Sequence, residues 1–417
     1  MTATLSAGDE PAPATRSRWL VLAGLWLVYF SFGLTVASMA PLVGPISAEL
    51  QMSNGRMGAI FGAWPLTYII AAIPCGMLLD RLGARRMLFL AALIMAASSV
   101  ARGFAQSPTH LLLAVALFGI GGPMISVGAP TLVARLFQGK DRGTAMGIYI
   151  TGPYLGGLIA LALTNSVSLP LAGGDWRGVM FLNGGFVALS GLVWLVIASG
   201  LAPRRQQGDA PAKKFNLSAF GEILRLREVR LILLMSVCIF FINHALNNWL
   251  PEILRAKGFT PVDAGYWAAI PSSVGILSGL LIPRLATPER RLPVMILLFA
   301  AAMLATVLLQ FQAGALLAPG LVLQGLARGA MMTVAVLVLM ETPNLPQKSL
   351  GLAGGLFFTT AEIGGVLGPV VFGVLSDLSG GFTLSLCALT VVCAGLFGLL
   401  WRYARARAEA AGGQGPQ

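Results

Sequence analysis

Charge is what this chain has least of. Only 11% of its 417 residues are Asp, Glu, Lys or Arg, against roughly 25% in a water-soluble domain. Hydrophobic residues make up 56%, and the mean hydropathy is +0.81. Such a chain cannot cover itself with polar surface in water, which excludes the two or three soluble domains that length alone would suggest. Acid–base side chains are scarce, with 16 Asp plus Glu and two His, and that speaks against an enzyme. No Gly-x-x-x-x-Gly-Lys-Ser/Thr phosphate loop occurs, so nothing indicates an ATP-driven pump. No His-Glu-x-x-His or paired His/Cys cluster occurs either, so neither a metal nor another cofactor is expected. The four cysteines, Cys75, Cys238, Cys387 and Cys393, lie in apolar segments without ligand spacing and read as packing residues.

Long apolar runs are what the chain does have. A bilayer-crossing helix needs about 20 mainly apolar residues. Segments of that kind lie near 19–44, 57–79, 87–105, 110–134, 143–165 and 178–201, and again near 230–251, 264–283, 292–311, 314–340, 350–376 and 381–403. The expectation is therefore an all-α membrane protein with twelve transmembrane helices. The net charge of +12 does not point to nucleic acid, because the basic residues fall between the apolar runs instead of forming one patch. With both termini cytoplasmic, 22 Lys and Arg lie on the cytoplasmic side and five (Arg56, Arg102, Arg177, Arg255 and Lys257) on the other. That asymmetry sets the orientation and suits a multi-pass protein of a bacterial-type cytoplasmic membrane.

The division that follows is a disordered cytoplasmic tail at 1–18, a six-helix bundle at 19–201, a cytoplasmic linker at 202–229, a second six-helix bundle at 230–403 and a tail at 404–417. The linker holds Pro203, Pro211 and many charges, and reads as a solvated segment lying against anionic headgroups. The bundles echo each other. Gly76-Met77-Leu78-Leu79-Asp80-Arg81-Leu82-Gly83-Ala84-Arg85-Arg86 follows the second span, and Gly279-Leu280-Leu281-Ile282-Pro283-Arg284-Leu285 follows the eighth, with Arg290 and Arg291 beyond. Gly152-Pro153-Tyr154-Leu155-Gly156-Gly157 in span five is answered by Gly364-Gly365-Val366-Leu367-Gly368-Pro369 in span eleven. A duplicated six-helix unit is a transporter architecture.

The segment from Gly76 to Arg86 resembles the loop signature of the major facilitator superfamily, as do the stretches Lys140-Asp141-Arg142-Gly143 and Asp175-Trp176-Arg177. The stretch from Arg142 to Gly157 is similar to the nitrate, cyanate and organic-anion branches. The resemblance implies two pseudo-symmetric bundles and alternating access to a site between them. It also implies a cytoplasmic gate built from Gly76, Asp80, Arg81, Gly83, Arg85 and Arg86, with Arg135 and the start of span eleven near Gly351 as partners of Asp80. Two departures stand out. Pro283 occupies the aspartate's place in the second copy, and spans one and four lack the acid and arginine common in drug/proton antiporters.

Small residues allow close helix approach and proline bends a helix, so Gly152, Pro153, Gly156, Gly157, Gly368 and Pro369 are expected at a flexing contact between the halves. Ionisable groups inside a membrane are costly and mark function. Three stand well inside spans: Arg328, Glu362 and His244. Arg328 suits a small planar anion, with Gln324 one turn away; alternatively it pairs with Glu362 and fixes the packing of spans ten and eleven. Glu362 is otherwise a candidate for a coupling proton. His244 with Asn247 and Asn248 forms a polar stripe on span seven, and Tyr29 offers an aromatic wall.

The expected activity is secondary active transport of a small organic or inorganic anion by a monomer in the lipid bilayer, coupled to a proton or another ion. Export of neutral or amphipathic drug-like compounds is the alternative, and a non-transporting ligand sensor is the alternative of another class.

Overall fold

In the computed structural model, residues 15–200, 217–312, 314–342, 345–346 and 349–412 are described. Twelve helices are long and apolar enough to span a bilayer. In the first lobe these are α1 (Arg18–Glu49), α2 (Asn54–Leu79), α3 (Arg81–Gly103), α4 (Pro108–Leu136), α5 (Gly139–Leu171) and α6 (Trp176–Ile197). In the second they are α7 (Arg227–Ala256), α8 (Pro261–Leu285), α9 (Arg291–Leu308), α10 (Leu317–Met340), α11 (Leu350–Ser379) and α12 (Thr383–Glu409). Each meets one of the expected apolar runs, and several extend past it because their first turns are polar and capped. Residues 1–14 and 413–417 of the expected tails and 202–216 of the expected linker lie outside the described residues; 15–18 and 404–412, expected as tail, are instead helical and continue the first and last spans, and within the linker Leu217–Arg225 is helical.

Helix starts differ on the two faces, that of α10 at Leu316 excepted. On the face of the short inter-helix loops, Ser53, Ser107, Asp175 and Thr260 each accept a bond from a first-turn amide, while Pro108 and Pro261 open α4 and α8 without an N–H to satisfy. On the terminal face, α5, α9 and α11 begin without a side-chain cap, at Gln138, Arg290 and Ser349. In the first turn of α3, Gly83 kinks the chain at φ +73° and ψ 161°, a conformation that a side chain would strain.

Within each lobe the glycines set the packing. A Cβ at Gly156 of α5 would lie 2.0 Å from the Phe30 carbonyl oxygen of α1, and one at Gly364 of α11 would lie 1.9 Å from that of Val237 in α7. These backbones touch directly, which is how helices gain attraction where lipid offers no hydrophobic drive. Gly152 presses on α1 and Gly368 on α7 in the same way, and Gly157 faces Ala37 of α1. The glycine–proline elements expected to join the halves therefore pack helices inside each lobe. Pro369 is the exception, since its carbonyl stands 2.3 Å from a Cβ placed on Gly58 of the opposite lobe.

Candidate functional site

The lobes meet on the loop face. Asp377, in the last turn of α11, accepts from the Asn54 amide at 2.9 Å and the Gly55 amide at 2.7 Å. A carboxylate at a helix C-terminus opposes its own helix dipole, and the free amides of α2 offset this across the interface. With Ser53 accepting from Arg56, the opening amides of α2 are satisfied. On the pseudo-symmetric side, Asn165 donates to the Pro41 carbonyl at 3.2 Å and to the Pro261 carbonyl at 2.9 Å, tying the π-helical end of α5 to α1 and to the start of α8. Phe61 packs edge-on against Trp249, which in turn donates to the Pro369 carbonyl. At the opposite ends of α2 and α11, open space surrounds Gly76, Gly351 and Gly355. Among the described residues every side-chain hydrogen bond between the lobes lies on the loop face, so the lobes are closed there and parted on the face carrying the termini.

Gating residues on that parted face are scattered. Arg81, Arg86 and Arg135 are exposed, and the Arg85 carbonyl accepts from the Trp194 indole at 3.0 Å. The side chain of Asp80 lies outside the described residues, and its expected contacts with Arg135 and the Gly351 region lie there with it. Asp141 pairs with Arg18 at 2.8 Å, which holds the start of α1 to the start of α5. In the second lobe, where Pro283 replaces the aspartate, Arg291 pairs with Glu341 and donates to the Ala286 and Leu337 carbonyls. The loop after α8 is thereby anchored from α9 to α10 without an aspartate.

In the interior, Arg328 of α10 donates to the Ser272 hydroxyl of α8 at 3.1 Å and is half-buried. It lines a cavity of about 10 Å³ with Gln324, Asn243, Ile242, Ala305 and Met331, room for about one water. Gln324 is 5% exposed, and its Oε1 has no partner. The alternative pairing of Arg328 with Glu362 is absent from the ion pairs among the described residues. Glu362 faces His244 of α7 instead, with Oε2 3.9 Å from Nε2. Glu362 is 7% exposed, and its Oε2 accepts no hydrogen bond. The His244 ring lies between Phe240 of its own helix at 5.5 Å and Trp64 of the other lobe at 5.4 Å, close to parallel with both.

The rest of the predicted stripe divides. Asn248 is buried and donates to the His244 carbonyl, leaving its Oδ1 unpartnered, whereas Asn247 is half-buried. Tyr29 stacks on Tyr149 of α5 at 5.6 Å and touches Phe32, so it belongs to an aromatic wall of the first lobe.

Sequence reasoning overlooked several groups. Arg102, placed by the sequence reading among the residues outside the membrane, is 2% exposed within the helix. It donates to the Thr35 carbonyl at 3.1 Å and lies over the Phe118 ring, with Nε unpartnered. Its position at the last turn of an apolar run hid it. Ser272, Asn165, Trp64 and Asp377 were invisible for a different reason. Each works through a helix distant in sequence, and no local pattern marks it. Glu49 accepts from Trp176 and Arg177, which gives the Asp175-Trp176-Arg177 segment a role in tying α6 to the end of α1.

Comparison with known proteins agrees with this architecture. The probable galactarate/D-glucarate transporter GudP of Escherichia coli (strain K12) is 23% identical over 430 residues, covering 92% of this chain and 92% of that protein. The 3-(3-hydroxy-phenyl)propionate transporter of the same strain is 28% identical over 385 residues, covering 88% and 90%. A bacterial homologue of the human lysosomal transporter Spinster, solved in an inward-facing and unoccupied conformation, superposes with a TM-score of 0.72 at 20% identity over 97% of this chain and 96% of that one; that likeness speaks to the fold. The family model described as Major Facilitator Superfamily matches residues 25–369. With twelve membrane-crossing helices in two lobes and a family match across most of its length, the chain is a transporter of the major facilitator superfamily and not an enzyme.

Proposed function

We propose that this protein is a secondary active transporter of a small organic anion, with a carboxylate bound at Arg328. The observation that carries the proposal is a cation deep in α10 that has no carboxylate within ion-pair distance among the described residues. A lone guanidinium in a membrane interior is expensive unless an anion completes it, and its planar fork of donors matches a carboxylate. The small cavity that it shares with Gln324 and Asn243 is too narrow for an organic acid, so the solute meets the half-buried side chain from its accessible surface. Relatives named for galactarate/D-glucarate and for a hydroxyphenylpropionate support the acid class. Glu362, released from any pairing with Arg328, is the candidate coupling group. The Gly76–Arg86 loop, with Arg135, is the gate of the terminal face, and the site of action is a bacterial inner membrane.

Thermal stability of the purified protein tests this reading, with D-glucarate, 3-(3-hydroxyphenyl)propionate, a neutral aromatic and a lipophilic amine on wild type and Arg328→Ala. A ligand at about 100 times its Kd adds roughly 2.7 kcal/mol to the folded state. Stabilisation by an acid that disappears in Arg328→Ala is the expected result. Stabilisation of both proteins by the neutral or cationic compounds would defeat it. That outcome would favour drug-like export, to which the aromatic wall of Tyr29, Tyr149 and Phe32 is suited.

A further inference from the structure

We infer that His244 and Glu362 together form the proton site of this transporter, and that Trp64 transmits the state of that site to the opposite lobe. The inference rests on the reading of Glu362 as the coupling group and adds the imidazole and the indole to it. Three observations on the loop-closed form carry it. Glu362 is buried with a partnerless Oε2, and His244 Nε2 is 3.9 Å away. A small side-chain rotation brings these atoms within hydrogen-bond distance, so one proton serves both, either as Oε2–H donating to Nε2 or as Nε2–H⁺ donating to the carboxylate. The imidazole is also clasped by Phe240 from its own lobe and Trp64 from the other, and aromatic faces attract a cationic ring.

With the proton bound, nothing in this cluster is left as an isolated buried charge. When the proton leaves to water on whichever face is open, the pair keeps a net negative charge: Glu362 is a buried carboxylate that only the N–H of a neutral imidazole can reach, a weaker partner than an imidazolium, and burial penalises that charge. The loop-closed form is then disfavoured. Parting the lobes on the loop face separates Trp64 from His244 and admits water to the carboxylate. Protonation therefore favours loop-face closure, and deprotonation favours loop-face opening. Arg328 on α10 and Tyr68 on α2 are the titratable groups facing this pair from the neighbouring helices. Arg328 is fixed to Ser272, and Tyr68 is bonded to Ser126 at 2.7 Å.

The test needs no transported solute, so its failure is separate from failure of the anion reading at Arg328. The chain has two histidines, and His110→Gln leaves His244 as the only one. Imidazole NMR of labelled protein in nanodiscs then reports its protonation directly. In parallel, spin labels at Gln106→Cys and Gln312→Cys, exposed positions on loops of the two lobes, measure loop-face separation in a background lacking the native cysteines.

The midpoint of the His244 signal should move by about one pH unit or more between wild type and Glu362→Gln. The label distance should lengthen as pH rises in wild type and stay short in Glu362→Gln. In Trp64→Leu the imidazole should still sense Glu362 while the distance ceases to follow pH. If Glu362→Gln does not fold, His244→Gln should likewise abolish the pH response of the distance. A wild-type distance indifferent to pH, a His244 midpoint unchanged in Glu362→Gln, or a response surviving in His244→Gln would overturn the inference.

Discussion

Arg328 and Ser272 show how one hydroxyl can set the chemistry of a membrane interior. The Ser272 Oγ, 3.1 Å from Nη1, occupies one donor of the guanidinium and leaves the remaining fork free. Ser272→Ala removes a hydrogen bond to a charged group and frees the long side chain to wander. The apparent affinity for an organic acid should fall about 10-fold, the equivalent of about 1.4 kcal/mol. Ligand titration by thermal shift measures this, and an unchanged affinity would show that the hydroxyl does not orient the site. Arg102 is a contrasting case. It too lacks a carboxylate, but its Nη1 is spent on the Thr35 carbonyl and its face lies over Phe118, so it braces α3 against α1 and α4. Arg328 stands mid-span and Arg102 in the last turn of its helix, and the neighbouring helices present a hydroxyl to the one and a carbonyl and an aromatic face to the other.

Between helices, the decisive contacts are made by backbone. Gly364→Ala would drive a methyl group against the Val237 carbonyl, a contact of 1.9 Å that α7 and α11 can relieve only by separating. Overpacking of this kind should remove about 1–3 kcal/mol of stability, read as a lower Tm and reduced yield in detergent. Gly355→Ala, where space is open, should leave Tm unchanged. Asp377 acts between elements in a different way, as a cap supplied to α2 by a helix of the other lobe. Asp377→Ala strips two charge-assisted bonds from the loop-face closure and should raise the loop-open population about 5- to 10-fold. Longer distances between labels on the loops at Gln106 and Gln312 would reveal it. A population identical to wild type would mean that Asn165 and the α2–α11 backbone contacts hold that face without it.

Across the whole molecule, the arrangement is a hinged pair of lobes joined at one rim. The loop face carries Asp377 on Asn54 and Gly55, Asn165 on Pro41 and Pro261, and Phe61 against Trp249, whereas the glycines at the far ends of α2 and α11 stand in open space. The basic residues concentrate on the parted face, which orients that face to the cytoplasm. A fluorescent protein fused after Glu409 should therefore fluoresce in cells, and alkaline phosphatase fused at Gly381, between α11 and α12, should be active. The opposite pattern would invert the orientation, and the parted face would then open to the outside.

The amino-acid sequence by itself determined the fold class, the number of crossings, the duplication and the family resemblance. All of these follow from local quantities: runs of about 20 apolar residues, the placement of lysine and arginine and motifs repeated at matching depths. It also drew attention to Arg328, Glu362 and His244, because an ionisable group in an apolar run is conspicuous without any structure. The partnerships among them were decided only by tertiary structure. Helical spacing says which residues share a face of one helix, but not which helix packs opposite. The sequence left Arg328 with Glu362 as readily as apart, and the fold set Arg328 on Ser272 and Glu362 beside His244. It likewise brought Trp64 to His244 and Asp377 to Asn54 across the lobe interface, contacts joining residues 180 and 323 positions apart. No local pattern can encode such contacts, because they depend on how two separately packed bundles come to rest against each other.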